Sequence, residues 1–288
     1  MKPMSRAQKA ESLEFALKMA EDAGKLLQSY STRLFTRPLK LIHKGAQGLA
    51  SEADLKSEEL VMRRIQRRYP THRILSEEDS FTRKLKIEGP GGDRTPTWLI
   101  DPLDGTNNFL NGLPFYAVSL ALAEGEEVQV GVVHNPIVGE TFYATRGGGA
   151  FLRRRFGTKY LTKRLRATVV AQPLKDALIS TNLGSHRHNA DLIRQFPEVR
   201  AFRRLGSAAL ELSYVAAGIL DVYWEYRLQP WDIAAGGLIC QEAGVPISDH
   251  SAQAFRPYTP HVLAARRPLY DDVLAVLDPA AAAAKKGQ

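Results

Sequence analysis

The sequence predicts an α/β protein, because segments with the spacing of amphipathic helices alternate with short apolar segments typical of strands. Apolar side chains at helical spacing run through residues 7–30, whereas residues 98–100 form an apolar run that predicts a buried strand. Carboxylates follow several predicted strands or begin predicted helices. In α/β folds such ends meet at one edge of a sheet, where active sites lie.

The N-terminal part of the chain is predicted to hold two helices and a strand that ends in acids. After a small-residue loop at 43–50, the second helix opens at Ser51-Glu52-Ala53-Asp54, with an apolar core side (Leu55, Leu60, Val61, Ile65). Asp54 either complements the helix dipole or serves a site. A strand at 73–76 then runs into Glu77, Glu78 and Asp79. Adjacent carboxylates repel one another unless a cation neutralises them, so this segment is an exposed turn or a cation site.

The stretch 98–109 places Asp101 and Asp104 at the end of a predicted strand, with Gly105 and Thr106 directly after them. Carboxylate oxygens are ligands that suit Mg²⁺, and free backbone N–H groups at a helix start suit a phosphate. The pattern therefore indicates metal-assisted phosphoryl transfer to water. Asp-Pro and Asp-Gly are also ordinary turn pairs, so this stretch alone leaves a purely structural turn open.

The remaining elements are predicted up to residue 277, followed by a frayed tail at 279–288. Strands are predicted at 116–123, 128–134, 140–145, 177–180, 199–205, 220–225 and 262–264. Helices are predicted from an N-cap at Ser207 through Gly218, from Trp231-Asp232 through Gly244, and over 269–277. Glu225 ends one of these strands, and Asp232 is either a helix-start charge or a site residue.

Composition favours anionic partners without choosing among them. The net charge is +8, from 39 Lys and Arg against 31 Asp and Glu, which suits phosphorylated metabolites or nucleic acid. One basic cluster ends the second helix and is either a nucleic-acid patch or a solvated face (Arg63, Arg64, Arg67, Arg68). The other spans 153–166 (Arg153, Arg154, Arg155, Lys159, Lys163, Arg164, Arg166). With a single cysteine, Cys240, no run of ~18 apolar residues and no apolar signal core, we expect a cytoplasmic protein without a membrane span.

Four acids, Glu77, Asp101, Asp104 and Asp232, are predicted to converge at one sheet edge. Carboxylates that close raise each other's pKa, but two or three bound Mg²⁺ ions make them an expected ligand set. At these residues the chain resembles the inositol monophosphatase family, within the lithium-sensitive, Mg²⁺-dependent sugar phosphatase group that includes fructose-1,6-bisphosphatases. The likeness, greatest to the bacterial branch, covers about residues 10 to 277 and rests on Glu77-Glu78, on Trp-Leu-Ile-Asp-Pro-Leu-Asp-Gly-Thr at 98–106 and on Trp-Asp-Ile-Ala-Ala-Gly at 231–236.

The resemblance implies a layered α/β sandwich of two halves, residues 1–150 and 151–278, that forms a homodimer. It implies that Glu77, Asp101 and the Leu103 carbonyl hold one Mg²⁺, and that Asp101, Asp104 and Asp232 hold a second, with a third, weaker ion near Glu77. Asp54 and Thr106 would form a hydrogen-bonded pair that helps Glu77 activate the attacking water. The implied substrate contacts include the Gly105 and Thr106 amides at the phosphate (Glu77, Leu103, Asp104, Gly105, Thr106, Gly206, Ser207, Ala208, Glu225, Asp232).

The implied activity is hydrolysis of myo-inositol monophosphate or a similar polyol phosphate. Alternatives on the same fold are a fructose-1,6-bisphosphatase, a histidinol-phosphatase or a nucleotide 3′-phosphatase. An alternative of another class, motivated by the basic clusters, is a regulatory protein that binds RNA or the transcription machinery. Two departures from the family pattern are Gln47-Gly48, where the loop usually carries an acid and is one residue longer, and the arginine-rich segment 153–166. The first puts the third metal site in question.

Overall fold

The structure is a computed structural model that describes residues 3–34, 36–44, 49–167, 173–182 and 193–278. The departure at Gln47-Gly48 and the tail predicted at 279–288 lie outside the described residues. Within the described ranges, no helix is both long enough and apolar enough to cross a membrane.

The larger of the two main sheets contains seven strands, which follow one another across the sheet in chain order. A small antiparallel hairpin of β1 (Leu41–His43) and β2 (Leu49–Ser51) precedes it. The seven strands are β3 (Arg73–Ser76), β4 (Pro96–Asp104), β5 (Ala117–Glu124), β6 (Glu127–Asn135), β7 (Glu140–Thr145), β8 (Gly149–Phe156) and β9 (Lys159–Leu165). Only β3 and β4 are parallel; the other neighbouring strands are antiparallel.

The second main sheet contains five strands in the order β11-β10-β12-β14-β13. Its strands are β10 (Leu178–Thr181), β11 (Ala201–Arg203), β12 (Val222–Tyr226), β13 (Ile247–Ser248) and β14 (His261–Ala265). The strands β11, β10 and β12 are parallel, whereas β14 pairs antiparallel with both β12 and β13. Site residue Glu225 lies in β12, the central strand of this sheet.

Helices cover and separate the two sheets. The helices α1 (Arg6–Leu34) and α2 (Glu52–Arg68) pack on one face of the larger sheet. The short helices α3 (Glu77–Arg83) and α4 (Thr106–Leu110) directly follow β3 and β4. Between the sheets lie α5 (Ala208–Ala217) and α6 (Pro230–Ala243), and α7 (Leu269–Leu277) packs on the outer face of the smaller sheet. The layered α/β sandwich is therefore confirmed.

The close packing of α6 on the larger sheet depends on Gly131 in β6. A Cβ atom at Gly131 would lie 2.9 Å from the carbonyl oxygen of Ala235, which is closer than real Cβ contacts allow. Glycine here lets the α6 backbone approach the sheet directly. Because Asp232 lies in the first turn of α6, this contact helps to place its carboxylate above the larger sheet.

The predicted elements are confirmed, with corrections in detail. Val61 and Ile65 are buried on the core side of α2, as expected, but Leu55 is 37% exposed because the buried face begins at Ala53 and Asp54. Cys240 is buried, and burial raises the pKa of its thiol, as expected of an inert core residue. The division near residue 150 stays a prediction; the larger sheet continues as far as Leu165.

Candidate active site

Parallel pairing of β3 with β4 places Glu77 beside the acids of β4. Ser76 pairs with Ile100, so that Glu77 and Asp101 each follow a member of the same pair. Asp101 and Asp104 are both buried, and the register of β4 against β5 shifts between them. The irregularity lets both carboxylates serve one region, although they are three residues apart in a strand.

Asp232 reaches the same region from the layer between the sheets. Asp101 pairs with Ser119 in β5, and the Ser119 hydroxyl donates to the carbonyl oxygen of Trp231 at 3.1 Å. This bond ties the start of α6 to the strand beside Asp101. The Asp232 carboxylate accepts a hydrogen bond from the Gln229 amide at 2.7 Å, within a capping box that fixes the first turn of α6.

Asp104 is held by the start of α5. Its Oδ2 atom accepts hydrogen bonds from Ser207 Oγ at 2.6 Å and from the Ala209 amide at 2.8 Å. Ser207 occupies the predicted N-cap position, but its hydroxyl bonds Asp104 and does not cap the helix. Segment 206–208, which is predicted to contact the substrate, is therefore hydrogen-bonded to a candidate metal ligand through Ser207.

The pKa directions show that these acids influence one another. Burial raises the pKa of Asp101 and Asp232 well above the ordinary range, and repulsion from Glu77 and Asp104 raises both further. Burial also raises the pKa of Asp104 to about 7, with added repulsion from Glu77 and Glu225. A nearby cation would reverse these effects, because it favours the ionised form of every carboxylate.

Sequence reasoning missed Lys44, which directly follows β1. Its buried ammonium group donates to Glu77 Oε1 at 2.8 Å and to Glu78 Oε1. Burial alone would lower the pKa of Lys44, but the two glutamates outweigh it and raise the pKa to about 12. The acidic run therefore is neither an exposed turn nor uncompensated; no pattern in the sequence pairs residue 44 with residues 77 and 78.

The donor set suits Mg²⁺, which prefers oxygen ligands. Asp101, Asp104, Asp232 and Glu77 supply carboxylates, and the buried Leu103 supplies a carbonyl within the same irregular stretch of β4. In the described part of the chain, no three His, Cys, Asp or Glu side chains already form a group that could hold an ion. The donors therefore fit Mg²⁺ by their chemistry, but they are not arranged around one ion position: Asp101 accepts from the Leu103 amide and Glu77 accepts from Lys44.

The predicted pair of Asp54 and Thr106 is present. Thr106 Oγ1 donates to Asp54 Oδ1 at 2.9 Å and lies 3.2 Å from the Leu103 carbonyl oxygen. The other oxygen of Asp54 accepts from the amide and hydroxyl of Ser51, at 2.8 and 2.6 Å. Asp54 therefore takes part in the capping box of α2 and also orients Thr106, while its role in a site stays a prediction. Burial raises the pKa of Asp54.

Gly105, which follows Asp104, lies against the segment 206–208 that is predicted to contact the substrate. Its φ is +97°, and a Cβ atom there would lie 3.1 Å from the Phe115 carbonyl oxygen and 3.2 Å from that of Gly206. Glycine is thus required both by conformation and by the close approach of the 206–208 segment. Glu225, whose pKa burial raises, accepts a hydrogen bond from the Tyr223 hydroxyl. Glu225 lies close enough to Asp104 for its charge to raise the pKa of that carboxyl, so the predicted substrate contacts and the acids of β4 share one oxygen-rich region.

Comparisons with known proteins show the family of this chain. The family model described as "Inositol monophosphatase family" matches residues 8–284. The chain is 34% identical to the Nus factor SuhB of Pseudomonas aeruginosa over 275 residues, covering 93% of this chain and 96% of that protein. It is 33% identical to the fructose-1,6-bisphosphatase/inositol-1-monophosphatase of Thermotoga maritima over 273 residues, with coverages of 93% and 96%. The solved structure of a Thermotoga maritima IMPase superposes with a TM-score of 0.78 at 32% identity, covering 96% of this chain and 99% of that one. The chain therefore belongs to the inositol monophosphatase family.

Proposed function

We propose that this member of a phosphatase family is a Mg²⁺-dependent phosphomonoesterase that hydrolyses myo-inositol monophosphate or a similar small polyol phosphate. The observation that carries the proposal is the burial of Asp101, Asp104 and Asp232 in one region, where burial first and then repulsion from Glu77 and from one another raise the pKa of all three. Such an arrangement is costly unless cations bind there. The family as a whole is generally metal-dependent.

Glu77, Asp101 and the Leu103 carbonyl would hold one Mg²⁺, and Asp101, Asp104 and Asp232 would hold a second. When bound, the ions supply Lewis acidity, which makes hydroxide accessible at neutral pH and stabilises charge on the phosphate and leaving oxygens. Glu77 would have to exchange the Lys44 ammonium for a cation, since the two now share a 2.8 Å contact. A third, weaker ion would bind near Glu77.

The chain's own contribution to proton movement is the pair of Thr106 and Asp54. Because Thr106 Oγ1 donates its proton to Asp54 Oδ1, its oxygen lone pairs remain available to accept a hydrogen bond from the attacking water. Asp54 in turn is fixed by two donors from Ser51. The pair thus orients the water toward phosphorus, while the Gly105 and Thr106 amides contact the phosphate oxygens.

Glu225 favours a neutral polyol over a bisphosphate. A carboxylate at this position accepts hydrogen bonds from substrate hydroxyl groups, but it repels a second phosphate group. The alternatives are fructose-1,6-bisphosphate, histidinol phosphate and a nucleotide 3′-phosphate. The relative from Thermotoga maritima carries both fructose-1,6-bisphosphatase and inositol-1-monophosphatase in its name, so this choice needs a direct test.

The test is a phosphate-release screen with inositol 1-phosphate and the three alternative substrates, each with Mg²⁺, with EDTA, and with Mg²⁺ plus millimolar lithium. We expect Mg²⁺-dependent release that EDTA abolishes and lithium inhibits, with the highest kcat/KM for inositol 1-phosphate. A higher kcat/KM for fructose-1,6-bisphosphate would overturn the substrate assignment. Phosphate release that is unchanged by EDTA would overturn the metal assignment.

A second candidate function is binding of single-stranded RNA by the β8–β9 hairpin. Segment 149–166 contains seven basic residues and no acidic residue (Arg153, Arg154, Arg155, Lys159, Lys163, Arg164, Arg166). Two of them form ion pairs with Glu21 and Glu140. Exposed aromatic side chains lie among them, with Phe156 at 53% and Tyr160 at 48%. Cations mixed with exposed aromatic rings suit phosphates and stacked bases together.

The basic cluster on α2 supplies a matched control. Arg63 forms an ion pair with Glu59 and Arg64 forms one with Asp22, as expected of a solvated helix face. Replacing Lys159 and Lys163 with glutamine should weaken RNA binding about tenfold at 0.1 M salt and flatten its salt dependence. Replacing the ion-paired Arg63 and Arg64 with glutamine should change RNA binding less than twofold. Absent or salt-independent binding by the wild type would refute this candidate.

A further inference from the structure

Glu211, in the first turn of α5, is a buried acid that the proposed mechanism does not use. We propose that Glu211 is a positioning residue, which fixes the backbone of loop 205–207 and thereby sets the affinity for the polyol part of the substrate. The inference rests on the proposed function, since it concerns the segment that would contact the substrate hydroxyl groups. Glu211 itself makes no contact with the candidate metal ligands.

The contacts of Glu211 end on the loop backbone. Its Oε2 atom accepts hydrogen bonds from the amides of Gly206 and Ser207, both at 3.1 Å. Its Oε1 atom accepts a hydrogen bond from the Ser180 hydroxyl, which belongs to β10. One carboxylate thus joins the smaller sheet to two consecutive amides of the loop. These amides precede α5 and would otherwise lack a partner within the helix.

Asn108 holds the same loop from the other side. Its side-chain amide donates to the carbonyl oxygen of Leu205 at 2.6 Å and to that of Phe115 at 2.7 Å. Gly206 between the two supports has a φ of +80°, and a Cβ atom there would lie 3.3 Å from Asn108 Nδ2. Loop 205–207 is therefore fixed by an amide on the metal side and by an acid on the side of the smaller sheet.

The loop also contacts Asp104, which keeps the Ala209 amide as a second donor at 2.8 Å. With Ser207 held through its amide by Glu211, the Ser207 hydroxyl lies 2.6 Å from Asp104 Oδ2. The contacts run without interruption from Ser180 through Glu211 and Ser207 to Asp104. Burying a carboxylate is unfavourable unless it is hydrogen-bonded. The hydrogen bonds of Glu211 go to the Gly206 and Ser207 amides and to the Ser180 hydroxyl. The geometry thus points to loop placement as its role.

The test compares Glu211→Ala and Glu211→Gln on two substrates, inositol 1-phosphate and p-nitrophenyl phosphate, which lacks polyol hydroxyl groups. We expect Glu211→Ala to raise KM about tenfold for inositol 1-phosphate and less than threefold for p-nitrophenyl phosphate. Glutamine retains an oxygen acceptor for the two amides and should restore KM to within about threefold. The control Asp221→Asn, in a buried acid that bonds the Leu178 amide, should leave both KM values unchanged.

Two further measurements separate the possible failures. Hydrogen exchange at the Gly206 and Ser207 amides should accelerate at least tenfold in Glu211→Ala and stay near wild type in Glu211→Gln. If Glu211→Ala does not fold, Ser180→Ala, which removes one donor to Glu211, should raise KM for inositol 1-phosphate about threefold. Equal changes for the two substrates, or unchanged exchange, would refute the role of Glu211. A wild type that hydrolyses neither substrate would instead refute the proposed function, and the exchange experiment would still decide the role of Glu211 in placing the loop.

Discussion

Asp104→Asn is expected to abolish turnover and yet stabilise the metal-free protein. Asp104 is 8% exposed, and burial raises its pKa from 3.8 to about 7. At 1.36 kcal/mol per pKa unit, ionisation in the folded state costs about 4 kcal/mol. Because neighbouring acids share this repulsion, we expect a gain of about 2 kcal/mol for the variant at pH 8. Asparagine can still accept the bonds from Ser207 and Ala209 through its amide oxygen.

The sign of the pH dependence follows from the raised pKa. A carboxylate whose folded pKa exceeds its unfolded value costs nothing below the unfolded pKa, near 3.8. The cost grows between pH 3.8 and about 7 and is complete above that range. Thermal unfolding in EDTA should therefore show the variant about 4 °C more stable at pH 8. The difference should shrink at pH 5 and vanish near pH 3.

Magnesium provides the second arm of this experiment. Adding Mg²⁺ in excess of its dissociation constant should raise the Tm of the wild type, because ligands that bind only the folded state stabilise it. Asp104→Asn should gain much less and should lose at least 10³-fold in kcat/KM. Near-normal turnover in the variant, or a Tm below that of the wild type at pH 8 in EDTA, would refute the reasoning.

Three other substitutions test separate parts of the site. Thr106→Val should lower kcat about 10²-fold with KM within twofold, because the oriented hydroxyl is lost, and Thr106→Ser should restore most of the rate in the same assay. Gly105→Ala should lower the free energy of unfolding, measured in urea, by about 2 kcal/mol, because of its φ of +97° and the 3.1 Å approach to the Phe115 carbonyl. Lys44→Met should cost about 3 kcal/mol in urea unfolding at pH 9 and less at pH 6, because Glu78, with a pKa of about 8, is then protonated; equal costs at both pH values would contradict this pairing.

The acids of the candidate site could be predicted from the sequence, because the features that mark them lie within their own short segments. The segments 98–106 and 231–236 place acids beside apolar runs, and the secondary structure of each follows from its own residues. The pair of Thr106 and Asp54 came only with the family resemblance, since nothing in either segment points to the other. Their 2.9 Å bond depends on how α2 packs against β4.

Lys44 and Glu211 could not be predicted, because their roles are defined by partners far away in the chain. Lys44 is a lysine in a polar loop until the fold brings it to Glu77 and Glu78. Glu211 resembles an ordinary first-turn acid of α5, yet both its oxygens are engaged, one by Ser180 across the smaller sheet. Both side chains are buried and bonded to partners distant in sequence, and these are properties of the whole fold.

The expected convergence of the acids is supported, but the geometric reason for it differs from the prediction. The edge rule for parallel strands applies only to Glu77 and Asp101, since β3 and β4 are the only parallel pair of the larger sheet. Asp104 joins them through an irregular stretch of β4, and Asp232 arrives on a helix whose approach requires Gly131. Three structural features therefore place four acids in one region: the parallel pair β3–β4, the irregular stretch of β4, and the close approach of α6 to the larger sheet. Because each feature can be disrupted alone, Gly131→Ala should displace Asp232 while leaving Glu77 and Asp101 in place, and metal affinity measured by calorimetry should fall although those two carboxylates are retained.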